Sequence, residues 1–99
     1  MTRVEVQKTP REYTLTARGH AGYARNGDDI VCAALSFMLQ TLAAAARDAG
    51  ALLEYEEKTG FLRMRAALND ATRARLSMCL SGLGMLQRAY PGHVKAEKR

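Results

Sequence analysis

The stretch from Asp28 to Gly50, DDIVCAALSFMLQTLAAAARDAG, decides the fold. Between Ile30 and Ala46 it carries no charged side chain. Its helix is apolar on nearly every side, and only Cys32, Ser36 and Gln40, spaced i, i+4 and i+8, form a polar stripe. Such a helix must be covered on several faces, by a sheet, a second helix or a partner subunit. Asp28 and Asp29 offer N-caps, and Gly50 stands where a left-handed residue ends a helix. The uncharged run is shorter than the roughly 20 residues of a membrane span, and its stripe is polar, so no membrane partner is expected.

On the N-terminal side, Val4 and Val6 alternate with Arg3, Glu5 and Gln7, the period of a strand. Lys8-Thr9-Pro10-Arg11 supplies turn chemistry, and Tyr13, Leu15 and Ala17 then alternate with Thr14, Thr16 and Arg18 as a hairpin partner. That second strand runs out at Gly19-His20, and the loop from Ala21 to Gly27, without a hydrophobic period, is expected to be mobile.

On the C-terminal side, Leu52 to Glu57 and Phe61 to Leu68 flank Lys58-Thr59-Gly60 as a second hairpin. Asn69 or Asp70 caps a second helix reaching about Ala89, with Leu76, Cys79, Leu80, Leu83, Leu86 and Tyr90 at helical spacing. Gly82 and Gly84 inside it predict close packing against another backbone. Pro91-Gly92 stops it, and His93 to Ala96 is a candidate edge strand before the charged tail. The order β-β-α-β-β-α predicts an α+β fold: a single-layer antiparallel sheet with two helices packed on one face, and a short C-terminal strand as a further candidate.

At 99 residues the chain is expected to form one domain, residues 1–99. A hydrophobic content of 47% with 25% charged residues excludes general disorder. The net charge is +5, and residues 71–99 carry six basic groups against one acidic. Arg73, Arg75, Arg88, Lys95, Lys98 and Arg99 form either a solvated face and tail or a patch for an acidic partner. No aromatic-interleaved basic stripe and no phosphate-binding loop accompany them, so nucleic acid is not expected as a direct ligand. Two cysteines are too few for a disulfide framework, and Met1 to Glu12 has no apolar signal region; the expected compartment is the reducing cytoplasm.

Chemistry concentrates in Gly19-His20 and Asp28-Asp29-Ile30-Val31-Cys32. Cys32 falls in the first helical turn, where partial positive charge and free N–H groups stabilise a thiolate. His20 precedes it by twelve residues, across a loop able to fold back. An imidazole there can take the thiol proton and return it to a leaving amine, and the free N–H groups of the turn can hold an oxyanion. The competing reading makes Cys32 a buried, inert thiol. Asp29 either orients His20 or caps the helix, the commoner task, and Ser36 bonds within the site or back to its own helix. Cys79 reads as core and His93 as solvated. His20, Cys32, Cys79 and His93 lack the spacing of a metal site, so neither metal nor other cofactor is expected.

The strings Gly19-His20-Ala21-Gly22-Tyr23-Ala24 and Gly27-Asp28-Asp29-Ile30-Val31-Cys32-Ala33-Ala34-Leu35-Ser36 closely resemble the ribosomal-processing cysteine protease family, Prp. Tyr90-Pro91-Gly92-His93-Val94-Lys95 also looks like that family's ending. The resemblance implies a small α+β homodimer with Cys32 as nucleophile and His20 as base, and it matches Gly19, Asp29 and Ser36 to supporting positions. It implies removal of an N-terminal extension from a large-subunit ribosomal protein precursor, or, in phage relatives, processing of capsid proteins. A non-catalytic module that meets the ribosome or its RNA through the basic last third is the alternative outside that family. The apolar first helix and Ala43 to Ala46, which permit close helix packing, independently predict a dimer.

Overall fold

The computed structural model describes residues 1–25 and 29–99. Asn26, Gly27 and Asp28, the last a candidate cap, lie outside the described residues. Seven elements follow one another: β1 (Thr2–Lys8), β2 (Glu12–Arg18), α1 (Ile30–Asp48), β3 (Leu52–Lys58), β4 (Phe61–Ala67), α2 (Asp70–Ala89) and β5 (Val94–Lys98). The five strands form one sheet in the order β3-β4-β2-β1-β5. Three of the pairings are antiparallel, two of them the predicted hairpins and the third β2 with β4; the fourth, β1 with β5, is parallel and departs from the expected antiparallel sheet, because the chain reaches β5 through α2 and not through a hairpin turn.

The alternation seen in the sequence becomes a row-by-row register. Val4 pairs with Ala17 and Ala17 with Leu62; Val6 pairs with Leu15 and Leu15 with Met64. These side chains share one face and are buried. The opposite face is polar and carries cross-strand ion pairs, among them Arg65 with Glu12 at 3.0 Å and with Glu54 at 3.4 Å. These pairs are half-exposed, so they fix register more than they stabilise.

Both helices lie over the apolar face. α1 buries Val31, Leu35, Leu39, Leu42, Ala43 and Ala46, one side of its cylinder. It ends as the glycine predicts: Gly50 has φ 68°, its N–H donates to the Arg47 carbonyl, and the Ala51 N–H donates to the Ala46 carbonyl. α2 starts at a reciprocal cap, in which the Asn69 side chain accepts from the Thr72 N–H while the Thr72 hydroxyl accepts from the Asn69 N–H. Leu76, Cys79 and Leu83 fill its core side.

The two helical glycines do other work than the spacing predicts. A methyl group at Gly82 would collide with the end of the Met38 side chain, and one at Gly84 would lie 3.4 Å from the Arg88 guanidinium. Gly82 makes room for a side chain and not for a neighbouring backbone, while a Cβ at Gly84 would meet only ordinary contact.

Among the described residues, one polar side-chain atom in this core is unpartnered. The Tyr13 hydroxyl is buried without a hydrogen bond, and burial, with Cys79 beside it, pushes its pKa up to about 12. Removing an unpaired buried hydroxyl relieves a desolvation cost of about 1 kcal/mol or more. Tyr13→Phe is therefore expected to leave the melting temperature unchanged or raise it by a few degrees; a clear fall in thermal unfolding would mean the hydroxyl has a partner in solution.

Candidate active site

The site is assembled from the end of β2 outward. Gly19 has φ 92°, a conformation open to glycine, and its N–H donates to the Gly60 carbonyl at 2.9 Å. Its own carbonyl accepts from the Thr2 hydroxyl at 3.4 Å. A Cβ at Gly19 would sit 2.5 Å from the Met1 carbonyl oxygen. Gly19 is thus held between the start of β1 and the β3–β4 turn, and it delivers His20 to an exposed position beside that turn. The imidazole lies against the bare face of Gly60, where a Cβ would stand 3.1 Å from Nε2.

Beyond His20 the chain folds back. The Ala21 N–H donates to Cys32 Sγ at 3.4 Å. Cys32 is half-buried, in the first turn of α1. His20, Cys32 and Ser36 line one cleft of about 330 Å³, together with Gly19. Its far wall is the β3–β4 turn from Glu57 to Phe61, and Leu35, Leu39 and Leu62 contribute apolar lining. The cleft thus brings together four of the five residues singled out in the sequence. The fifth, Asp29, lies behind it.

Asp29 resolves the choice between orienting and capping in favour of capping. Its Oδ1 accepts from the Val31 and Cys32 amides at 3.0 and 2.9 Å, and its Oδ2 from the Tyr23 and Ala24 amides at 3.0 and 3.3 Å. One carboxylate therefore starts the helix and fastens the loop that follows His20. The Cys32 amide, with those of Ala24, Tyr23 and Val31, holds the carboxyl below its ordinary 3.8, against the opposing effect of burial. A folded-state value below the unfolded one means stability that is present above about pH 4 and lost as pH falls through the folded value. Asp29→Asn keeps one acceptor oxygen for the helix but turns an NH₂ toward the loop. Its expected result is a modest fall in melting temperature, a clear fall in cleavage, and weaker acid dependence of unfolding than in the parent. Equal acid dependence of the two proteins would count against this account.

The same bonds correct the expected oxyanion site. The Val31 and Cys32 amides already donate to Asp29 Oδ1, and the Ala33 amide donates to the Asp29 carbonyl. These N–H groups of the turn are not free to receive an oxyanion. The amide directed at the sulfur is that of Ala21, from the loop and not from the helix.

The described part of the loop makes contacts at Ala21, 1% exposed, and at Tyr23, edge-on to Tyr90 with ring centres 5.3 Å apart. One further expectation changes. His93, read as solvated, is half-buried, with Nδ1 2.8 Å from the Ala21 carbonyl oxygen. No sequence signal announces that bond, since its acceptor is a main-chain carbonyl 72 residues away. Cys79 is buried as expected, and burial pushes its thiol up to about 11. Among the described residues, no group of three or more His, Cys, Asp or Glu side chains is placed to hold a metal ion.

The profile of the cysteine protease Prp family matches residues 1–95. The chain belongs to that family. It is a cysteine protease. Among solved structures, an essential ribosomal processing protease Prp from S. aureus, in complex with a covalently linked product peptide, is similar over 100% of both chains, with a TM-score of 0.87 and 20% identity. The same S. aureus protease with a substrate peptide gives 0.82 at 20% identity, again over 100% of both chains. SMU.848 from Streptococcus mutans gives 0.74 at 24% identity over 99% of this chain and 93% of that one. At these identities the likeness establishes the shared fold. No curated protein matches the sequence.

Proposed function

We propose that this Prp-family protease removes an N-terminal extension from a large-subunit ribosomal protein precursor, using Cys32 as nucleophile and His20 as general base and acid. The observation that carries the reading is the convergence of the half-buried Cys32 and the exposed His20 on one cleft of about 330 Å³. The ribosomal processing role stated for the S. aureus protein, crystallised with substrate and product peptides, supports the substrate class.

The chemistry follows from the groups in the cleft. His20 takes the Cys32 proton, and the thiolate attacks the scissile carbonyl carbon. A C–S bond forms while the carbonyl π pair moves to oxygen, beside the Ala21 N–H. The tetrahedral intermediate collapses as His20 returns the proton to the departing amine. Water, deprotonated by His20, then attacks the thioester and regenerates Cys32. In this reading Ser36, exposed on the cleft wall one turn after Cys32, contacts the peptide.

The test is incubation with the extended precursor from the source organism, followed by mass spectrometry. The expected result is one cut and one new N-terminus. An uncleaved precursor, with cleavage of a phage capsid precursor instead, would move the assignment to the phage reading. Salt-dependent RNA binding without proteolysis would favour the non-catalytic module. Against that module, three of its basic groups have other partners: Arg75 donates to the Ala45 carbonyl, Lys95 faces Glu97 and Arg99 pairs with Glu5.

The reading includes a homodimer in the cytoplasm. Ala43 and Ala46 are used inside the protomer, each 2% exposed, so a second copy would meet other residues. Phe37 on α1 is 73% exposed, and Met78 and Met85 on α2 are 68% and 64% exposed. Apolar side chains this open on adjacent helices suit a self-association face. Phe37→Asp is expected to shift the sedimentation of the protein at micromolar concentration from dimer to monomer; a parent that sediments as a monomer would count against the assembly.

A further inference from the structure

We infer that His93 is a positioning residue for the site: it holds the Ala21 carbonyl so that the Ala21 N–H stays on the Cys32 sulfur. The inference deepens the proposed function and rests on Cys32 as the nucleophile.

A carbonyl oxygen only accepts, so the 2.8 Å contact requires the proton on His93 Nδ1. The neutral Nδ1–H tautomer and the imidazolium both meet that demand. His93 is itself well fixed. Its N–H donates to the Tyr90 carbonyl, and its carbonyl accepts from the Thr2 N–H, both at 2.9 Å. Its ring stands edge-on to Tyr23 at 5.5 Å, and Tyr23 is in turn edge-on to Tyr90. The turn between α2 and β5 thus grips the segment just after His20 at two points, the Ala21 carbonyl and the Tyr23 ring.

Ala21 has one polar group on each of two neighbouring peptides. The carbonyl is taken by His93 and the N–H points at Sγ from 3.4 Å. The Ala21 methyl group is buried in the core, and these two contacts align the peptides on either side of it. An N–H donated to sulfur favours the thiolate over the thiol. The same N–H lies beside the atom that attacks the carbonyl carbon, where oxyanion charge then develops. Releasing the carbonyl loosens the alignment of the two peptides that flank Ala21, and both effects weaken together.

The experiment compares His93→Ala, His93→Gln and His93→Asn with the parent. An asparagine amide reaches about as far as Nδ1 and restores the donor; a glutamine keeps bulk and polarity but carries its amide past the carbonyl. Iodoacetamide modification of the peptide bearing Cys32 is followed by mass spectrometry at about pH 7 and about pH 9.5, on either side of an ordinary thiol. The Ala and Gln variants are expected to react roughly 10-fold more slowly at the lower pH and near the parent rate at the higher, as losing one hydrogen bond to a charged group implies. Their kcat should fall by a similar factor with KM little changed, and Asn should recover most of both. Parent-like alkylation in the Ala and Gln variants would overturn the inference, as would an Asn variant no better than Gln. The alkylation ratio reads the hold on the sulfur without reference to cleavage, whereas cleavage persisting in Cys32→Ala would instead overturn the nucleophile.

Discussion

Cys32→Ala is expected to lower precursor cleavage by at least about 1,000-fold while the protein still folds, because removing the nucleophile of a covalent mechanism leaves only binding and charge stabilisation. The sulfur is half-buried at a helix start, and alanine is the best helix former, so little stability is lost. Cys79→Ala is the opposite case. Its thiol is 2% exposed in the core between α2 and the sheet, so truncation leaves a cavity and lowers the melting temperature. Activity per folded molecule should persist. Thermal unfolding and a precursor-cleavage assay on both variants therefore give crossed results, one stable and inactive, the other destabilised and active. Cleavage at the parent rate by Cys32→Ala would end the assignment of the nucleophile.

The second large effect is expected from Gly19→Ala, a single methyl group thirteen residues before Cys32. It meets two obstacles at once. The φ of 92° disfavours any side chain, by about 1–2 kcal/mol. The added Cβ would also lie 2.5 Å from the Met1 carbonyl oxygen, a backbone atom at the start of β1. Relief requires β1 and the end of β2 to part, which strains the Gly19–Gly60 hydrogen bond and displaces His20. We expect a melting temperature lower by roughly 10 °C or more, and kcat lower by about 100-fold, the scale of a displacement near 1 Å at a reacting group. Gly22→Ala separates the causes. Gly22 also has a positive φ, 69°, but nothing lies within 4 Å of its added Cβ. It should cost stability by strain alone and leave His20 in place. Equal effects of the two variants would show that backbone strain, and not the Met1 contact, sets the outcome.

The strands and helices were legible because their burial follows short-range period. Val4, Val6, Leu15 and Met64 announce their face by alternation, and Asn69 and Gly50 announce helix ends by local chemistry. The direction of β5 was not legible. Of its five residues only Val94 is buried, and a short polar strand carries no mark of whether its neighbour runs parallel or antiparallel. In the site, His20 and Cys32 stand out by residue type, and Gly19 by its place at a strand end. The role of Asp29 depended on which way one carboxylate faces, and that is set by backbone amides of Tyr23 and Ala24 that have no sequence signature. His93 was hidden for the same reason. Side-chain chemistry can be read from letters, but a side chain that serves a distant carbonyl shows only after folding.

The parallel pairing of β1 with β5 also has a consequence in time. Thr2 is matched to Val94 and Val6 to Lys98, so the earliest strand to be synthesised gains its last neighbour from the latest. Contacts of this sequence separation form slowly and cannot nucleate on a growing chain. Until residues 93–98 have been added, β1 has an open edge and the Thr2 N–H lacks the His93 carbonyl that later receives it. His93 itself arrives only at that stage. A nascent chain can thus hold both His20 and Cys32 well before the turn that steadies Ala21 exists, so proteolytic competence is expected to follow synthesis of the α2–β5 turn and of β5, and not to precede it.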